Sequence, residues 1–100
     1  MSKTVEGKLQ TKIIKWLKDR GAYVIKVRAA PGVPVGCPDI IFLFGSEWGA
    51  VEVKASPEAK YQPGQLQTLR WLGDMNNGNV FVANPENWED TKLQLETIFA

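Results

Sequence analysis

Residues 37–56, CPDIIFLFGSEWGAVEVKAS, hold two short apolar runs, and both carry charge where a buried strand would have none. Asp39 opens the first run, and Glu52 and Lys54 interrupt the second. An unpaired charge inside a core is strongly unfavourable, so three ionisable groups in the central strands of so short a chain need a purpose. The runs read as strands, DIIFLF (39–44) and AVEVKA (50–55), joined by the five-residue link GSEWG, which is of hairpin length. Side chains alternate along a strand, so Glu52 and Lys54 share one face about 7 Å apart, while Val51 and Val53 face the other way. Paired through that link, the strands bring Asp39 near Glu52 and Lys54, because all three lie away from the turn.

Working outward, residues 5–20 place Leu9, Ile13, Trp16 and Leu17 at the spacing of an amphipathic helix that Gly21 ends. Lys8, Lys12, Lys15 and Lys18 lie mainly on its other face, whereas Glu6 falls on the inward stripe. AYVIKVR (22–28) reads as a strand, and AAPGVPVGCP (29–38), with three prolines and two glycines, as a loop. SPEAKYQPGQ is a loop leading into a helix over 64–75, with Leu66, Leu69 and Leu72 as its stripe. NVFVA (79–83) is a fourth strand; Asn84 as N-cap and Pro85 in the first helical position open a last helix containing Trp88, Leu95, Ile98 and Phe99. The order αβββαβα, two antiparallel pairings and then a strand–helix–strand crossover, predicts an α/β fold: a four-stranded mixed sheet flanked by helices, one domain over 1–100.

Composition narrows the chemistry. The chain of 100 residues has no histidine and one cysteine, Cys37. That excludes histidine general bases, Ser-His and Cys-His nucleophilic sites, intrachain disulfides and multi-cysteine zinc sites. Catalysis would rest on carboxylates, lysine or a hard cation held by oxygen. No stretch approaches the length of a membrane helix and no signal-type apolar region opens the chain, which reads as cytoplasmic with no membrane partner. The net charge of +1 hides an asymmetry: residues 1–28 hold eight of the twelve Lys and Arg, and residues 86–96 hold four acids and one lysine. Such a basic end suits a polyanion.

Two carboxylates beside an ammonium repel one another less when a divalent cation sits between them, and oxygen ligands favour Mg²⁺ or Mn²⁺. Such an ion polarises a phosphoryl oxygen and activates water, the chemistry of phosphodiester hydrolysis. Each residue alone has a plainer reading. Glu52 and Lys54 would make a solvated ion pair, Asp39 a turn aspartate, Glu6 a favourable charge at a helix start, Gln65 a helix-start residue and Cys37 a packing residue. Their conjunction with this strand order is what those readings leave unexplained.

Pro38-Asp39 followed by Glu52-Val53-Lys54, behind a helix bearing a glutamate, resembles the PD-(D/E)xK nuclease superfamily with its restriction-endonuclease-like core. EGKLQTKIIKWLKDRGAYVIKVR, GCPDIIFL, AVEVK and YQPGQLQTLRWL together resemble, over nearly the whole chain, the VRR-NUC family. The resemblance implies that Asp39, Glu52 and the Val53 backbone carbonyl ligate the metal, with Glu6 ligating directly or through water. It implies too that Lys54 is the catalytic lysine and that Gln65 lies beside it. Val27 and Arg28 depart from the family pattern. Stand-alone members are of virus type, so a phage or other virus-encoded origin is implied, with a homodimer resolving four-way (Holliday) junctions. A nickase, a flap- or mismatch-directed nuclease, and a non-catalytic DNA-binding module of the same fold stand as alternatives. Lys3, Lys8, Lys12, Lys15, Lys26 and Arg28 are the candidate DNA phosphate contacts, and Trp48, Trp71 and Trp88 are exposed candidates for a dimer interface.

Overall fold

The computed structural model describes residues 4–100, so Lys3 lies outside the described residues. Seven elements follow in chain order: α1 (Val5–Asp19), β1 (Tyr23–Lys26), β2 (Ile40–Phe44), β3 (Glu47–Val53), α2 (Gln65–Met75), β4 (Val80–Ala83) and α3 (Trp88–Phe99). The sheet order is β1-β2-β3-β4. β1 pairs β2, and β2 pairs β3, antiparallel; β3 pairs β4 in parallel through α2. This is the expected mixed sheet, restriction-endonuclease-like in its strand arrangement.

Local chemistry explains the boundaries of α1. The Thr4 side chain accepts a hydrogen bond from Gly7 N–H at 2.9 Å, satisfying one of the donors a helix start leaves open. At the other end Gly21, at φ 91°, takes the left-handed turn that lets Ala22 N–H reach back to the Leu17 carbonyl at 3.1 Å. Leu9, Ile13 and Leu17 are buried against Ile40, Phe42, Val51 and Val53, while α3 adds Trp88 and Leu95 to the same core. Phe99 closes it, with its ring 4.7 Å from Phe44 and 5.9 Å from Trp16. Arg20 ties α1 to α3, lying 3.7 Å over the Trp16 ring and 2.6 Å from the Glu96 carboxylate.

The expected five-residue GSEWG link is in fact a two-residue turn. Phe44 pairs with Glu47, leaving Gly45 and Ser46 as the loop, with Gly45 at φ 61°. Gly-Ser with a positive φ at its first position matches a hairpin turn whose twist suits the flanking strands, so Glu47, Trp48 and Gly49 are strand residues. Gly49 lies opposite Phe42, and a β-carbon there would collide with the Phe42 ring. The glycine is thus a seat for an aromatic ring rather than a turn residue.

The last helix also starts later than expected, at Trp88. Asn84 Oδ1 accepts from the N–H groups of Glu86 and Asn87, and Asn87 Oδ1 accepts from Asn84 N–H at 2.8 Å. These reciprocal side-chain bonds hold residues 84–87 in a turn before the helix can begin. Trp88, expected at the surface, is 4% exposed.

Gly49→Ala should destabilise the fold by roughly 1–3 kcal/mol through overpacking against Phe42. Denaturant unfolding of the two proteins checks it, and an unchanged midpoint would show that the ring can move aside.

Candidate active site

The site forms where β2 starts and β3 ends. Ile40 pairs with Val51, so continuing that register sets Asp39 across from Glu52 and Pro38 across from Val53. Proline has no N–H and cannot continue the ladder. The Val53 N–H is received by a side chain instead of a strand carbonyl, Asp39 Oδ2 accepting from it at 2.8 Å, while the Asp39 backbone carbonyl accepts from Val27 N–H at 2.8 Å. Asp39 thereby joins β1, β2 and β3 at one end of the sheet. In an extended residue the N–H and C=O point the same way, so the Val53 carbonyl also faces Pro38, which has no donor to offer it.

Glu52 sits on the opposite face from Val51 and Val53, 4% exposed and deep enough that burial, then the Asp39 charge, push its carboxyl up to about 7 against the pull of Lys54. Its Oε2 lies 3.4 Å from Lys54 Nζ, and its Oε1 is buried without a hydrogen-bond partner. Gln65 approaches the carboxylate without giving Oε1 a bond of ordinary geometry. Lys54 is also buried, and its ammonium donates at 3.0 Å both to the Lys60 carbonyl and to Gln65 Oε1. Glu52 Oε2 forms an ion pair with the same ammonium, and the Tyr61 ring lies 4.7 Å away. Gln65 Oε1 accepts in addition from Gln62 N–H at 3.2 Å, which fixes the amide at the start of α2.

A cleft of about 410 Å³ opens onto this group, with Asp39, Gln62 and Gln65 on one side and loop residues 29–37 on the other. Gly36, at φ 84°, brings the loop against α2; a β-carbon there would stand 3.0 Å from Thr68 Oγ1 and 3.2 Å from Gln65 Cα. Cys37 lies close by, and burial first, then the Glu52 and Asp39 charges, hold its thiol pKa up. That suits a packing residue better than a nucleophile.

Asp39, Glu52, Lys54 and Gln65 are therefore together. Glu6 stands in the first turn of α1, half-buried, and among the described residues no three acidic or thiol side chains are gathered closely enough to hold a metal. The structure thus leaves Glu6 outside the Asp39–Glu52 pair. The α1 lysines also separate from the cleft: Lys8 and Lys12 line a groove with Pro85, Trp88 and Glu89, and Lys15 pairs with Asp19 at 2.9 Å. Lys26 and Arg28 flank Val27, which lines the cleft. Lys60, Tyr61 and Gln62 read in the sequence only as loop residues. The proline and glycine at 63–64, just before Gln65, were the available signal that this loop is held against the helix start.

Burying a carboxylate with one unsatisfied oxygen costs stability, and the sign follows from its protonation. With a folded pKa of about 7 against the ordinary 4.5, the native state keeps a proton that the unfolded chain has released. Stability therefore falls as pH rises through that window. Glu52→Gln removes the charge, so it should unfold at a higher temperature than the native chain above pH 7, by roughly 1–3 kcal/mol, with the gain vanishing below pH 4.5. Thermal melts across pH check this, and parallel curves for the two proteins would contradict it.

No family model and no curated protein matches the chain. Solved structures do. One, described as a VRR_NUC domain, is 27% identical over 91% of this chain and 96% of its own length, with a TM-score of 0.69. Another is Hjc, a Holliday junction resolvase from the archaeal hyperthermophile Archaeoglobus fulgidus, 24% identical over 78% of this chain with a TM-score of 0.58. The present chain spans 66% of that resolvase, and the likeness carries the fold. Strand order, the Asp39–Glu52–Lys54 cluster and these likenesses agree: the chain has a VRR-NUC-like fold of the PD-(D/E)xK nuclease type.

Proposed function

We propose that the protein is a DNA endonuclease that hydrolyses phosphodiester bonds with Mg²⁺ or Mn²⁺, acting as a homodimer on branched DNA such as a four-way junction. The observation that carries this reading is the buried, unpartnered Oε1 of Glu52 beside a second carboxylate. Such an oxygen is costly unless something positive binds it. Lys54 already donates to Gln65 and the Lys60 carbonyl and pairs with the other oxygen, so a hard cation suits the vacant lone pairs. Asp39, Glu52 and the Val53 carbonyl would hold it, an all-oxygen set, and Glu6 would reach it through water. The bound ion would supply Lewis-acid polarisation of a phosphoryl oxygen and acidify water.

The chain's own residues do the rest. Asp39, tied to Val53 N–H, cannot swing away from Glu52. Lys54, held in place by Gln65 and the Lys60 carbonyl, presents fixed positive charge where a phosphorane would develop negative charge. Gln65 positions that lysine. The loop over 29–37 shapes the cleft and so the choice of DNA form. The junction as substrate is supported by the resemblance to the archaeal resolvase, and two symmetric cuts require two such sites.

Labelled four-way junction, flap, nicked and linear duplexes, incubated with Mg²⁺, Mn²⁺ or EDTA, test the reading. Paired symmetric cuts confined to the junction and abolished by EDTA are expected, whereas cuts at flaps or nicks would replace the substrate assignment. Asp39→Asn and Glu52→Gln should each remove cleavage while leaving DNA binding intact; full activity in both would end the assignment. Affinity should fall with added salt. Arg28→Ala with Lys60→Ala should weaken DNA binding more than Lys8→Ala with Lys12→Ala, because the former pair lies nearer the cleft. Equal losses would return the α1 face to the DNA path.

A further inference from the structure

The loop between β1 and β2 projects one apolar side chain. Val33 N–H donates to the Ala30 carbonyl at 3.0 Å and Cys37 N–H to the Pro34 carbonyl at 3.3 Å, so two four-residue turns follow one another. In each, the third residue is a glycine with positive φ, Gly32 at 92° and Gly36 at 84°, while the second, Pro31 or Val35, keeps φ negative. Both are therefore type II turns, which Pro-Gly suits. Valine is a different matter. Turn positions favour Gly, Pro, Asn, Asp and Ser, and Val35, 82% exposed, is the most exposed large apolar side chain among the described residues. Neither turn geometry nor core packing calls for it.

The projection is held firmly and stands at the site. Directly after Val35, Gly36 is seated on α2, where a β-carbon would come within 3.2 Å of Gln65 Cα. Pro31 and Pro34 fix φ at two further positions. Val35 lines the same cleft as Asp39 and Gln65. Residues 29–38 carry no charge, whereas Lys26 and Arg28, at the root of the loop, are exposed.

We propose that Val35 is a specificity-determining residue, an apolar wedge that packs against base faces laid open where DNA strands branch. The substrate class rests on the endonuclease reading above. A continuous duplex offers a protein its phosphates, sugars and base edges, and an uncharged loop tip has nothing to pair with the phosphates. At a branch point the stack is interrupted. Base faces are then open to an apolar side chain, and aliphatic side chains enter such opened steps. The two turns preorganise the tip, so little loop freedom is lost on docking. Asp39 follows Val35 by four residues, at most about 14 Å of chain or about four nucleotide steps. A base step held by Val35 thus keeps a nearby phosphate within reach of Asp39 and Glu52.

A four-way junction and a linear duplex of the same sequence, each carrying a fluorescent adenine analogue that brightens when unstacked, test this in EDTA. The analogue sits at the branch point or the matching duplex position. The native protein should brighten the junction and not the duplex. Val35→Asp and Val35→Ala should abolish most of that rise and lower the junction-over-duplex affinity ratio about tenfold, with unchanged far-UV circular dichroism. Val35→Ile should retain both, as should Leu93→Ala at a residue 70% exposed on α3. A native protein that leaves the analogue dark overturns the wedge, as does a Val35→Asp variant that behaves like the native chain. Equal losses on junction and duplex overturn it too. Cleavage with Mg²⁺ is scored separately. Brightening without cleavage keeps the wedge and removes the nuclease, cleavage with an unaltered preference in Val35→Asp does the reverse, and no DNA binding at all removes both.

Discussion

The hydrogen bond from Val53 N–H to the Asp39 carboxylate stands where a strand ladder would use a backbone carbonyl. Everything at the working end of the molecule depends on that substitution. β2 ends before β3 does, so that β3 continues past it with only β4 alongside. The bond turns a side chain that would otherwise be solvated into a fixed member of the sheet, facing Glu52. Pro38, with no N–H, leaves the Val53 carbonyl with no donor opposite. The Asp39 carboxylate, the Glu52 carboxylate and the Val53 carbonyl thereby gather at one end of the sheet.

Around this edge the protein accepts electrostatic cost. Glu52 is buried with an oxygen unsatisfied, and burial together with Asp39 opposes its ionisation. Lys54 offsets only part of this, because Gln65 and the Lys60 carbonyl share its protons. A core designed for stability alone would place apolar side chains here, since replacing buried charge with packed hydrocarbon is often neutral or favourable. Local instability held in place by a well-packed remainder is the usual signature of a site that must bind something.

The packed remainder lies on one side. Phe42, Phe44 and Phe99, with Trp16 and Trp88, fill the face under α1 and α3, and Gly49 exists to let the Phe42 ring in. The opposite face divides in two. Under α2 it carries Glu52 and Lys54, and beyond α2 it is bare and apolar. A single short chain thus supplies a core, a charged cluster and an exposed apolar surface from the two sides of one sheet.

Much of this was readable in residue order. Helical spacing marked α1 and α2, alternation put Glu52 and Lys54 on one face, and the number and order of strands followed from the breaks between apolar runs. Finer features depended on partners that sequence does not display. Glycine at 49 reads as a turn until Phe42 is known to lie across from it, and Asn84 reads as a helix cap until Asn87 bonds back to it. Tryptophan spacing said nothing of depth, so Trp88 proved buried and Trp71 exposed. Lysines 8, 12 and 15 look like one basic stripe in sequence, but α3 and Asp19 divide them. Periodicity and residue chemistry are local properties, and they determined which elements form and which groups are available to react. Which of those groups meet was decided by sheet register and helix placement, because contacts between residues distant in the chain arise only when the whole core is assembled.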